Sequence, residues 1–176
     1  MKHFTNEILP ALQDLGGGSG TGCLFLDEPG WPEKYNRQPL MGDWGRSHLI
    51  LHRLTPDGAS FTQKPEDFIK MSQITDVDVD GSGCLYLAAW DGAGYSGNSG
   101  KGFVERVVPK DWAHRPFPDL TRLNRDALLA ALKSPSATAR LHGQQALIKL
   151  GPAATGNALM AMALDKALPL ETRVAA

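Results

Sequence analysis

Three aspartates alternate in Asp76-Val-Asp78-Val-Asp80-Gly81, the spacing with which calcium-binding loops of the EF-hand type open. Such a loop needs a bidentate glutamate at its twelfth position. That position is Leu87, and strand alternation sets Asp76 and Asp78 along a strand face instead of around an ion. A strand with a hairpin turn is therefore expected, and no metal. His48 and His52 share one face of a strand-like run but stand roughly 13 Å apart at about 3.3 Å per residue, too far for a shared metal. Cys23 and Cys84 lack a partner cysteine or histidine at ligand spacing, and each is expected as a buried, inert thiol. The glycine-rich run 16–22 has neither the lysine nor the following helix of a phosphate loop. Two places remain for binding chemistry. The glycine-rich loop 91–100 holds Asp91, Tyr95 and Asn98 and is either a ligand-binding loop or a structural insertion. Arg46, in the turn after Trp44-Gly45, either bridges locally to Asp43 or Asp91 or meets an anionic or hydroxyl-rich ligand.

These residues need elements to hold them, and the composition says where to look. The chain has 176 residues, of which 42% are hydrophobic and 21% charged, values of an ordinary globular protein. A net charge of −1 gives no electrostatic basis for nucleic-acid binding, so no nucleic-acid partner is expected. No apolar run approaches the roughly 20 residues of a spanning helix, and no signal peptide opens the chain. There is no CxxCH for covalent haem.

The averages conceal a change near residue 116. Residues 1–116 hold 16 of the 19 glycines and 12 of the 13 aromatics, with 11 basic and 15 acidic side chains. Residues 117–176 hold 14 alanines and 12 leucines, with 7 basic and 4 acidic side chains. The first composition favours strands and tight turns, the second helix. Prolines 109, 116 and 118 mark a connector. The spacing predicts domains at 1–110 and 122–176, with a Pro-rich linker over 111–121.

Strands are expected over 22–26, 38–43, 47–54, 74–79, 84–89 and 102–108, each bounded by turn residues such as Pro56-Asp57-Gly58 and Asp80-Gly81-Ser82-Gly83. A faint repeat relates Leu40-Met-Gly-Asp-Trp44 to Tyr86-Leu-Ala-Ala-Trp90, and Arg53-Leu-Thr-Pro56 to Arg106-Val-Val-Pro109. That period suits propeller blades. Helices are expected over 125–133 with Asn124 as cap, 137–150 with Ser136 as cap and Gly151 as stop, and 152–166 with Pro152 in the first turn. Pro169 opens a fourth. Short Ala/Leu-faced helices of this kind suit a HEAT-like solenoid.

Several strings are more specific: Gly42-Asp-Trp-Gly-Arg-Ser47, Asp76-Val-Asp-Val-Asp-Gly-Ser-Gly83 with Leu85-Tyr86, Gly102-Phe-Val-Glu-Arg-Val-Val-Pro-Lys110, and Ser134-Pro-Ser-Ala-Thr-Ala-Arg-Leu-His142. Together they resemble the bacterial proteins labelled membrane-bound dehydrogenases, in which a β-propeller similar to quinoprotein glucose/sorbosone dehydrogenases runs into HEAT-like repeats. The resemblance implies a mixed β-then-α chain holding the last one to two propeller blades and the first antiparallel helices of the solenoid. It makes the chain a fragment of an exported, periplasmic or extracellular parent, with Met1 internal or a mis-assigned start. The family's catalytic histidine precedes everything present, so the piece is expected to be non-catalytic as supplied.

In that family late-blade arginines hold the carboxylates of pyrroloquinoline quinone (PQQ). Arg46 matches one such position, whereas Gln73 and Thr75 stand where two arginines are expected. Two functions follow as expectations. One is a piece of a sugar oxidoreductase; the other is a carbohydrate- or protein-binding scaffold module.

Overall fold

A computed structural model describes residues 11–92 and 99–176 of the chain. Seven strands come first: β1 (Gly20–Leu26), β2 (Gln38–Asp43), β3 (His48–Asp57), β4 (Ser60–Lys70), β5 (Ile74–Val79), β6 (Leu85–Trp90) and β7 (Gly102–Val107). A 3-10 turn at Leu120–Arg122 leads to α1 (Arg125–Ala131), α2 (Ala137–Leu150), α3 (Pro152–Leu164) and α4 (Leu170–Ala175). The strands form two antiparallel sheets, ordered β1-β2-β3-β4 and β5-β6-β7. The chain divides into two compact units. The described residues of the first are 11–25, 38–77, 87–92 and 99–104; those of the second are 26–37, 78–86 and 105–176. Among the described residues no helix is long and apolar enough to cross a membrane.

In the first unit, β3 pairs with both neighbours, Leu51 opposite Leu40 on β2 and opposite Glu66 on β4. Leu49, Ile50, Leu51 and His52 are all buried, so both faces of this central strand are covered. β4 is an edge strand, mostly exposed, with Pro65 opposite His52 and charges at Lys64, Glu66 and Asp67. Proline and charge on an edge discourage further strand addition. A Cβ on Gly22 of β1 would come within 2.7 Å of the Asp76 backbone, so only glycine permits this approach of β1 to β5.

The second unit is organised by helix caps. Asn124 accepts the Ala127 N–H (2.9 Å) and Ser136 accepts the Ala139 N–H (3.0 Å), fixing the starts of α1 and α2. Gly151, at φ 83°, ends α2, and Pro152 restarts the helix in a new direction. Leu128, Leu132 and Leu147 form the buried centre, flanked by Leu120, Leu123 and Met162.

Propeller blades and a HEAT solenoid are not what these elements build. The strands lie in two small sheets of four and three strands, and the helices have 7, 14, 13 and 6 residues. The two halves of the sequence repeat are not structural equivalents. β2 and β3 are followed by a fourth strand, whereas β6 and β7 run into Pro109, Pro116 and Pro118, which withhold backbone donors and end strand pairing. The four helices gather around one small centre of Leu128, Leu132 and Leu147 instead of stacking as successive repeats.

Candidate functional site

The residues singled out for binding do not converge. Arg46 lies against Asp43, its Nη1 3.6 Å from the carboxylate, which also accepts the Arg46 N–H (3.0 Å) and the Ser19 N–H (3.1 Å). Asp91 is exposed and donates its backbone N–H to the Lys101 carbonyl at 2.9 Å. Tyr95 and Asn98 lie outside the described residues. His48 Nε2 is 3.6 Å from Asp67, while His52 is buried and bonded through Nδ1 to Gln63. Cys84 is buried as expected, but Cys23 is exposed on β1. Among the described residues no group of three histidine, cysteine, aspartate or glutamate side chains is placed to hold a metal ion.

The aspartate triplet is a strand and its turn. Asp76 and Asp78 each accept the N–H of the next residue, and Asp80 organises the β5–β6 hairpin. Its Oδ1 accepts the Ser82 N–H (2.9 Å), the Ser82 hydroxyl (2.7 Å) and the Cys84 N–H (3.0 Å), while Oδ2 accepts the Tyr86 hydroxyl (3.0 Å). Desolvation by burial pushes the Asp80 carboxyl up, and the bonds from Ser82, Cys84 and Tyr86 together outweigh it and hold the group below its usual range. A carboxyl depressed in the folded state contributes stability above its unfolded pKa and loses it as pH falls through the folded one. Asp80→Asn is therefore expected to flatten the fall in stability as pH drops below about 4, read by urea unfolding at acid pH. An unchanged acid limb would remove Asp80 from this role. The bond to Asp80 is also the main cause that raises the Tyr86 hydroxyl.

A concave surface lies elsewhere in the second unit. Residues 117–123 and α2 enclose a groove of about 480 Å³, within the size range of ligand pockets. Phe117, Leu120, Leu123 and Leu150 supply apolar walls, and Leu128 closes the floor. His142, Gln145 and Lys149 follow one another at i, i+3 and i+7, hence on one face of α2, and line the other side. The His142 ring meets Phe117 edge to face, with centroids 6.0 Å apart. The Gln145 side chain has no hydrogen-bond partner and Lys149 no ion-pair partner among the described residues. Asp119 is engaged otherwise: it accepts from the Thr121 N–H and hydroxyl and pairs with Arg122 at 3.0 Å.

Sequence reasoning treats 111–121 as linker and so passes over this site. Phe117, the single aromatic residue beyond position 116, is the signal that could have found it, together with the His142/Gln145/Lys149 spacing. Prolines 116 and 118 hold Phe117 in extended backbone, where no helix or strand forms.

No protein family, curated protein or solved structure matches the chain. The positions where the resemblance places quinone-holding arginines do not fit a tricarboxylated quinone. Arg46 already faces Asp43, and the Thr75 hydroxyl donates to the Ala88 carbonyl at 3.1 Å. Neither offers the free cation that a bound carboxylate needs.

Proposed function

We propose that the chain is a protein-binding module whose groove between 117–123 and α2 receives an apolar side chain from an extended segment of a partner. The observation that carries this reading is the pairing of apolar walls with a polar rim whose Gln145 and Lys149 side chains have no partner among the described residues. Apolar side chains gain about 25 cal/mol per Å² on leaving water, and rim donors supply orientation. A carbohydrate is the weaker fit, because the walls contributed by Leu120, Leu123 and Leu150 offer sugar hydroxyls no partners.

Panning random dodecapeptides on the full chain tests the proposal. Enriched peptides are expected to share an apolar residue, and binding is expected to disappear in Leu150→Glu. Leu150 is 48% exposed, so this change places a charge on the groove wall without entering the core. Enrichment that persists in a folded Leu150→Glu variant, or none in the parent chain, would overturn the proposal.

A further inference from the structure

We infer that the segment received by the groove carries a carboxylate beside its apolar anchor, so that the module selects acidic, apolar-anchored peptides. This rests on the binding reading above and adds the charge of the ligand. The ionisable side chains that line the groove are Asp119, His142 and Lys149. Asp119 is neutralised by Arg122 and occupied by the Thr121 N–H and hydroxyl. Lys149 has no counter-charge among the described residues. It stands in the last turn of α2, whose C-terminal carbonyls carry roughly half a negative charge. A full positive charge exceeds that, and the rim stays positive.

The spacing of the rim says what shape of ligand would use it. From His142 to Lys149 the helix rises about 10.5 Å, at about 1.5 Å per residue. Three residues of extended chain cover about the same length, at roughly 3.3 Å each. An extended segment can therefore lie along the row with an apolar side chain in the groove, its backbone carbonyls toward Gln145, and a carboxylate two residues on, projecting from the same face, at Lys149.

The test is a nuclear magnetic resonance titration of the full chain with acetyl-Ser-Leu-Ser-Glu-Ser-amide and three analogues. These replace Glu by Gln, Glu by Lys, or Leu by Ser. The Glu peptide is expected to bind about two- to fivefold more tightly than the Gln analogue at low salt, the range of an exposed ion pair. That advantage is expected to vanish in Lys149→Met and to shrink at high salt. Equal affinity of the Glu and Gln peptides, both needing leucine, would overturn the charge inference and leave the groove reading standing. Binding that survives loss of the leucine would overturn the groove reading itself. Hexanoate binding as tightly as the Glu peptide would also overturn the inference, because the site would then select a small amphiphilic acid.

Discussion

Replacing Glu28 by alanine is expected to destabilise the helical unit by about 3–5 kcal/mol, the loss of two hydrogen bonds to a charged acceptor. Glu28 is 1% exposed, and its Oε1 accepts both the N–H (2.8 Å) and the hydroxyl (2.7 Å) of Thr138. Thr138 is in the first turn of α2, where backbone N–H groups have no partner within the helix and a negative charge is favoured. The neighbouring bonds fix the same junction. The Asp27 carbonyl accepts the Ala137 N–H at 2.9 Å, and Asp27 pairs with the buried Arg140. Alanine at position 28 strands two buried donors at once. Glutamine keeps an acceptor for Thr138 but loses the charge, and it sets an amide group where Oε2 has no partner among the described residues. Its cost is expected to be about 1–2 kcal/mol. Urea unfolding followed by helical circular dichroism measures both. A loss below about 1 kcal/mol for Glu28→Ala would mean that the carboxylate does not hold the start of α2.

In the first unit, Asp43→Ala is expected to cost about 2–4 kcal/mol, while Arg46→Ala costs no more than about 1 kcal/mol. The carboxylate of Asp43 is almost fully buried and gathers the N–H groups of Ser19 and Arg46. Those two bonds tie the glycine-rich run to the turn after β2, where Ser47 adopts φ 58°. The Arg46 guanidinium is 30% exposed and 3.6 Å from Asp43, so water can replace most of what it gives. Removing the arginine leaves both backbone bonds intact; removing the aspartate leaves neither. Thermal unfolding of the two variants should differ in that order. The reverse order would make Arg46 the organising residue of this turn.

Local signals in the sequence carried the elements well and their assembly poorly. The start of α2 at Ala137 follows from Ser136, and its end at Leu150 follows from Gly151. The helices expected to reach positions 133 and 166 stop at Ala131 and Leu164 because their last residues fall into turns. β4 went unseen, since Phe61-Thr-Gln-Lys-Pro-Glu-Asp67 shows neither alternation nor a closed apolar run; only pairing with β3 makes it a strand. The similarity of Leu40–Trp44 to Tyr86–Trp90 reflects two hairpins with like local chemistry, and local chemistry does not specify how sheets are arranged. The groove depends on residues 117–123 meeting α2 across some twenty residues, a juxtaposition set by the Leu128/Leu132/Leu147 centre.

The central claim is that an apolar side chain of a partner segment occupies that groove. Intermolecular nuclear Overhauser effects in the complex with acetyl-Ser-Leu-Ser-Glu-Ser-amide test it most directly. The account predicts cross-peaks from the peptide leucine methyls to the Phe117 ring and to the methyls of Leu123 and Leu150. Leucine cross-peaks confined to residues outside 117–123 and α2, from a peptide shown to bind, would contradict it.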